Sequence, residues 1–343
     1  FNNIFFLRYV INNLAKYPFN RIFILTGYKN EVIFKNFHNK TINFIKIKCL
    51  KEKKLMGTGG ALFKLKKEKI KDFVLVNGDT IFDIDINRLV KSFKKNKVAS
   101  LSLVKNNNNN IKSKKLNKLT LKNNIISYNK KSNLVNGGVY FFNKKIFNYI
   151  KNKNFSLEED LLPYLIKKKL VVGKTFQNFF LDIGSPKYFN KSASLLKKYF
   201  KRRAAFLDRD GVINYDYGYV HKIKDFKFKN GVLRGLKYLI KKKYYIFIVT
   251  NQAGIAKNIY SEKDFFKLHR YLKNKLNYKK IFFNDIKFSP FHPKGLVKKY
   301  KKDSAFRKPG NLMIKYILKN WLIDTKKSFM IGDKISDKLA ARK

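Results

Sequence analysis

Four short polar stations stand in the second half of the chain, each tied to the end of an apolar run. AAFL is followed by Asp208-Arg209-Asp210-Gly211, YYIFIV by Thr250-Asn251-Gln252, and SFMI by Gly332-Asp333-Lys334, with Asp337 beyond. Arg307-Lys308-Pro309 lies between the last two. Two carboxylates at i and i+2 after a buried-strand pattern project into the crevice at the carboxyl edge of a sheet, where open α/β sheets bind ligands. A hydroxyl, a lysine and a further aspartate from other strand ends can join them there. Such a set can bind a divalent cation and hold a phosphoryl group beside a carboxylate nucleophile. A lone aspartate after a strand is more often a cap or a turn residue. Four stations in this order point to a site.

The first half carries weaker signals of the same kind. GTGGA at 57–61 predicts a glycine-rich turn before a helix, which suits close backbone approach to a ligand or a structural turn alone. DFVLVNGDTIFD brings Asp79 to the end of a buried-strand pattern, as a cation-binding carboxylate requires. VNGGVYFF, FSLEEDLLP and FFLDIGSP follow in order.

The elements that must position these residues alternate along the chain. Apolar, β-rich runs are RIFILTGY, FIKIKCL, DFVLVNGD, ASLSLV, VNGGVYFF and FFLDIG, then AAFLDRDG, YYIFIVTN, DIKFSP and SFMIGD. Helix-like stretches lie between, for example from IKDF to IDINRLVKSFKKN (70–96) and SEKDFFKLHRYLKNKL with Ser261 as N-cap. This alternation predicts an α/β fold of two Rossmann-like domains, each a mostly parallel sheet flanked by helices. The helix-like KYFNKSASLLKKYFKRR precedes a fresh start at Ala204, so the domains are expected at 1–200 and 201–343. The asparagine run at 106–110 reads as a solvated loop, and no solenoid period is present.

Composition narrows the function. The chain has 343 residues, and 45% hydrophobic content supplies material for packed cores. A single cysteine, Cys49, excludes a disulfide framework and any multi-cysteine zinc site. Neither a membrane span nor a signal peptide is legible, so the expected setting is soluble and cytoplasmic, with no membrane partner. The net charge is +56, from 78 basic and 22 acidic residues. That balance keeps a basic nucleic-acid-binding protein in play as the rival of another class. Only about 10 of the basic residues are Arg, and Asn, Ile, Phe and Tyr are inflated alongside Lys. The lysines are spread over the whole chain, so genome base composition is the simpler reading and no specific nucleic acid is expected.

FLDRDGVIN, TNQAGIA, RKPG and MIGDKISD resemble the haloacid dehalogenase superfamily of aspartate-nucleophile phosphatases. They are similar above all to its D,D-heptose 1,7-bisphosphate phosphatase branch, which also carries a segment like Asp216-Tyr217-Gly218-Tyr219-Val220-His221. The resemblance covers 204–343; the histidinol-phosphatase branch is the second relative and the alternative enzyme. It implies that Asp208 attacks phosphorus and that Asp210 protonates the leaving oxygen and then activates water. It implies Mg²⁺ held by Asp208, the Asp210 main-chain carbonyl and Asp333, with Thr250 and Lys308 on the phosphoryl oxygens. Asp216, Tyr217, Gly218, Tyr219, Asn251, Gln252, Ala253 and Arg307 would meet the sugar or its remote phosphate, with Lys334 beside the metal. Where many members carry zinc ligands, this chain has Ser289, Phe291, Ser304 and Phe306, so no zinc is expected.

The first-half motifs resemble sugar-phosphate nucleotidyltransferases over about 1–189. By that resemblance Gly57, Thr58 and Gly59 lie along the base and ribose of a nucleoside triphosphate, and Asp79 and Asp182 hold Mg²⁺. Asn136, Gly137 and Glu158 would contact the sugar phosphate. The family's opening strand and Gly-Thr-Arg loop have no counterpart here, and the final KLAARK stops inside an expected helix. The expectation is a fragment of a longer bifunctional protein of nucleotide-activated heptose synthesis, with transferase activity absent from the fragment.

Overall fold

The computed structural model describes residues 4–27, 30–52, 57–105, 118–129, 131–150, 154–184 and 186–342. The asparagine run at 106–110 lies outside them. The chain forms two compact units. One gathers Phe1–Ile22, Lys40–Ile47 and Ala193–Lys343; the other gathers Phe23–Asn39 and Lys48–Ser192.

In the unit that holds the second half, four strands lie in the order Asp285–Ser289, Tyr245–Asn251, Ala204–Leu207, Phe329–Ile331. Every pairing in this sheet is parallel. Alternate residues of a strand point to opposite faces. Accordingly Ala205, Leu207, Ile246 and Ile248 enter one apolar core, and Ala204, Phe206, Tyr245 and Phe247 enter another. A sheet covered on both faces needs continuous apolar strands, which is why AAFL and YIFIV carry no polar alternation. All four parallel strands end at the same edge, so the stations of Asp208, Thr250 and Asp333 are delivered there.

The other unit holds a six-stranded sheet, ordered Phe73–Val76, Leu134–Phe142, Ala99–Lys105, Val171–Thr175, Ile125–Tyr128, Leu119–Lys122. The α/β class holds in both halves, and in this sheet the parallel pairing shown is Ala99–Lys105 with Val171–Thr175. The other pairings shown in it are antiparallel, a mixed sheet within the expected class. Leu119–Lys122 and Ile125–Tyr128 are joined only by Asn123 and Asn124, both at positive φ, and so short a turn reverses the chain.

Two local expectations change. The 70–96 stretch is helical only at Ile86–Ser92, capped by the Asp85 carboxylate accepting from the Asn87 N–H at 3.0 Å. Its FVLV run pairs with the 139–142 segment instead. GTGGA is not a turn before a helix but the first turn of helix Gly57–Lys66. The Gly59 N–H donates to the Phe155 carbonyl at 3.0 Å, and the Phe155 ring occupies the space a Cβ on Gly59 would need. Ser261 caps helix Glu262–Tyr278 as expected, with a full capping box to Asp264. Among the described residues no helix is long and apolar enough to cross a membrane.

Candidate active site

Asp208 leaves the Ala204–Leu207 strand with its N–H donating to the Ile331 carbonyl at 2.9 Å. The Lys308 ammonium lies 2.9 Å from Asp208 Oδ1 and 2.5 Å from Asp337 Oδ1. Lys308 Nζ also donates to the Val249 carbonyl at 2.8 Å. The group is dry: Asp208 is 6% exposed, and Lys308 and Asp337 are 3% exposed. Burial pushes the Asp208 carboxyl above the usual aspartate value, Lys308 offsets part of that, and the neighbouring Asp337 adds to it.

Asp210 is held from three sides. Arg209 Nε and Nη2 donate to its Oδ1 and Oδ2 at 3.0 and 2.7 Å. Asn214 Nδ2 donates to Oδ1 at 2.9 Å, and Gln252 Nε2 to Oδ2 at 2.9 Å. Arg209 is 1% exposed, and its Nη2 also donates to the Val220 carbonyl. Neither Arg209 nor Asn214 was assigned from sequence. An Arg between two site aspartates is a signal for a bidentate carboxylate clamp.

The amides of the Thr250 station point into the protein. Gln252 Nε2 also donates to Thr250 Oγ1 at 2.9 Å, and its Oε1 accepts from the Tyr260 hydroxyl at 2.5 Å. Asn251 exchanges hydrogen bonds with the Lys308 main chain, donating to its carbonyl and accepting from its N–H, both at 3.0 Å. Expected at the sugar, these two side chains are engaged in holding Asp210 and Lys308. The remaining substrate candidates lie nearer solvent. Arg307 and Ala253 are half-buried, while Tyr217, Gly218 and Tyr219 are exposed. Asp216 Oδ1 accepts from the Gly218 N–H at 3.0 Å, and Lys334 Nζ stands 3.7 Å from Asp216 Oδ2. Lys257 Nζ donates to the Tyr219 hydroxyl at 2.8 Å.

Asp208, Asp333 and Asp337 each offer a carboxylate oxygen, all within 4.8 Å of one another. Asp337 Oδ1 is buried and has no hydrogen bond, only the ion pair with Lys308. Gly211, at φ +79°, lies so close to Asp333 that a Cβ would meet its carboxylate. Hard oxygen donors in this number fit a divalent cation such as Mg²⁺. Asp337 was noted in the sequence but not assigned to the metal. The Asp210 carboxylate is outside this cluster.

In the other unit, Glu158 collects three donors. Thr58 Oγ1 reaches its Oε2 at 2.8 Å, and Asn77 Nδ2 and the Tyr140 hydroxyl reach its Oε1 at 3.3 Å. Asn136 Nδ2 donates to that hydroxyl at 2.5 Å. Burial holds the Tyr140 phenol well above its ordinary value, with the Glu158 charge adding to it. Asn77 and Tyr140 were missed in the sequence. A Cβ on Gly137 would meet the Phe82 ring, and on Gly184 it would meet both Asp79 and Asp182. Asp182 pairs across the sheet with Thr80, the neighbour of Asp79. Burial raises the Asp182 carboxyl, the Gly184 N–H offsets part, and Asp79 adds to it.

Residues 205–343 match the family model of polynucleotide kinase 3 phosphatase, and residues 3–114 that of nucleotidyl transferase. The D-glycero-beta-D-manno-heptose-1,7-bisphosphate 7-phosphatase of Rhodopseudomonas palustris is 41% identical over 142 residues, spanning 41% of this chain and 79% of that protein. The chain belongs to this phosphatase family. The D-glycero-alpha-D-manno-heptose-1,7-bisphosphate 7-phosphatase of Photorhabdus laumondii is 44% identical over 137 residues, 40% of this chain and 75% of that one. The crystal structure of HddC from Yersinia pseudotuberculosis is 22% identical, with a TM-score of 0.46, over 55% of this chain and 84% of that one.

In this heptose-bisphosphate phosphatase relative, the loop where zinc ligands were looked for is packed by side chains. Ser289 is fully buried, and Phe306 joins the core beneath the sheet. Phe291 lies 6.2 Å from the Tyr300 ring with the Lys302 ammonium over its face, and the Ser304 hydroxyl accepts from the Phe306 N–H. His292 closes a local turn, its Nδ1 accepting from the Lys294 N–H at 3.1 Å.

Proposed function

We propose that the 201–343 domain removes the 7-phosphate of D-glycero-D-manno-heptose 1,7-bisphosphate through an aspartyl-phosphate on Asp208. The observation that carries this is the dry Asp208–Lys308–Asp337 group beside an Asp210 clamped by Arg209, Asn214 and Gln252. An Asp208 carboxylate oxygen attacks phosphorus and the bond to the sugar oxygen breaks. Asp210 gives its proton to that oxygen. Asp210 then takes a proton from water, which attacks the aspartyl-phosphate and releases inorganic phosphate. Lys308 and Thr250 stabilise the phosphoryl oxygens. Bound Mg²⁺ supplies charge neutralisation, and Asp208, Asp333, Asp337 and the Asp210 carbonyl would hold it. Arg307, Ala253, Lys334 and the Asp216–Tyr219 loop meet the sugar and its remote phosphate.

For the other domain the reading is nucleotidyl transfer from a nucleoside triphosphate to a sugar 1-phosphate. Thr58, Asn136 and Glu158 are gathered as a sugar or ribose site would need, and Asp79 and Asp182 as a cation site would need. Dephosphorylation at C7 leaves the 1-phosphate that such a transferase consumes, so the two activities form consecutive steps. The setting proposed is cytoplasmic, without specific nucleic acid or membrane partners.

The test is phosphate release with Mg²⁺ from a panel of heptose 1,7-bisphosphate (both anomers), other sugar bisphosphates and histidinol phosphate. The heptose bisphosphates should be preferred by at least about tenfold in kcat/KM. Preference for histidinol phosphate would replace this reading with the alternative phosphatase.

A further inference from the structure

The compact unit that contains the phosphatase sheet also takes in Lys40–Ile47, a segment inside the nucleotidyl transferase match. Within it, strands Thr41–Ile42 and Ile45–Lys51 form a hairpin whose two-residue turn is Asn43-Phe44. Both residues sit at positive φ, 45° and 64°. A two-residue hairpin turn can require this, but a phenylalanine rarely accepts it unless its surroundings hold it.

The surroundings do hold it. Asn43 is buried and donates through Nδ2 to the Ala15 and Phe283 carbonyls at 2.9 Å and through its N–H to Asp285 Oδ1 at 3.2 Å. Lys273 Nζ donates to the Asn43 carbonyl at 3.1 Å. The Phe44 ring meets Phe265, Phe266 and His269 at 5.8, 5.2 and 5.4 Å, and packs on the cluster of Ile255, Tyr260 and Phe265.

That cluster backs the clamp on Asp210 along two lines. The Arg209 guanidinium lies 5.7 Å from the Phe265 ring centroid and forks onto Asp210. Tyr260 donates to Gln252, and Gln252 donates to Asp210. Deleting the Phe44 ring removes its contacts with Phe265, Phe266 and His269 and loosens the cluster behind both lines.

We infer that Phe44 is a positioning residue for the phosphatase: the hairpin tip wedges the aromatic cluster that sets Arg209 and Gln252 against Asp210. Proton delivery by Asp210 then depends on a residue from the nucleotidyltransferase segment. This rests on the reading of Asp210 as proton donor.

The test compares two substrates on the full chain. A sugar phosphate has an alkoxide leaving group that needs the proton; p-nitrophenyl phosphate does not. Followed as leaving-group release in the first turnover, before the aspartyl-phosphate hydrolysis that both substrates share, Phe44→Ala should slow heptose bisphosphate by about tenfold or more and p-nitrophenyl phosphate by less than about twofold, with KM for heptose bisphosphate within about twofold. Phe44→Leu should restore most of the loss. The ratio of the two rates is independent of the fraction folded; if Phe44→Ala does not fold, Phe44→Val supplies the ratio. Equal losses on both substrates, or none on either, overturn the inference. Asp210→Asn is the control. If it too fails to separate the substrates, the assignment of Asp210 is wrong and the inference falls with it; if it separates them and Phe44→Ala does not, the coupling alone is wrong.

Discussion

Lys308 Nζ stands 2.9 Å from Asp208 Oδ1, with both side chains buried. A buried ion pair gains little net stability, because desolvation offsets most of the attraction. Its retention at the mouth of a parallel sheet is therefore better explained by chemistry than by folding. In the proposed mechanism the ammonium favours the ionised form of a desolvated carboxylate, the form a nucleophile needs, and offers positive charge to the phosphoryl oxygens.

Replacing that charge should show both roles. Lys308→Met is expected to lower phosphate release by at least about 100-fold. It should also move the acidic limb of the pH–rate profile upward. The sign follows from the causes: burial and Asp337 raise the Asp208 carboxyl and Lys308 lowers it, so removing Lys308 removes the lowering influence. An unchanged limb would show that Asp208 does not govern it.

His269 offers a stability test in the cluster behind the site. It is buried on helix Glu262–Tyr278, with Nδ1 bonded to the Phe265 carbonyl. Burial first, then the Arg209 charge, push its pKa down to about 3, against smaller raising effects of the Phe265 carbonyl and Asp210. The unfolded chain binds this proton below about 6.5 and the folded chain does not. The unfolded state therefore binds more protons between about 6.5 and 3, and stability falls as pH falls through that window. Each pH unit inside it costs up to about 1.4 kcal/mol. Denaturant titrations of His269→Leu should show a shallower decline between pH 6 and 4.5 than the parent; parallel curves would contradict this.

The ends of the parallel strands were legible because buried strands leave a plain mark, and Asp208, Thr250 and Asp333 follow directly after apolar runs. Asp337 was harder to assign, because it reaches the cluster from inside helix Ile335–Arg342, one turn past Asp333. The i, i+4 spacing of the two aspartates was the available signal. Where the amides of Asn251 and Gln252 point could not be read, since that depends on Lys308 and Tyr260, which are distant in sequence from them or reached only through a loop. The start of the Gly57–Lys66 helix depends likewise on Phe155. The antiparallel character of the first sheet followed from short turns at positions such as Asn123-Asn124, while strand composition alone reads the same in either direction.

Gly211 should prove intolerant for a geometric reason. Its φ of +79° and its closeness to the Asp333 carboxylate leave no room for a methyl group. Gly211→Ala is expected to raise the Mg²⁺ concentration for half-maximal phosphatase activity by about tenfold or more. A metal titration giving the parent value would remove Asp333 from the proposed cation site.

The capping box at Ser261 should affect stability alone. Ser261 Oγ accepts from the Asp264 N–H, and the Asp264 carboxylate accepts from the Ser261 N–H at 3.0 Å. Ser261→Ala should destabilise the fold by about 1 kcal/mol in denaturant titration. Phosphatase kcat at 25 °C should stay within about twofold of the parent.

The central claim is that the Asp208 carboxylate is the nucleophile. The direct measurement is Mg²⁺-dependent phosphate release from heptose 1,7-bisphosphate by Asp208→Asn, alongside its circular dichroism spectrum. An amide cannot form the aspartyl-phosphate, so turnover should fall by at least about 1,000-fold with the spectrum unchanged. A folded variant that releases phosphate at the parent rate would contradict the account.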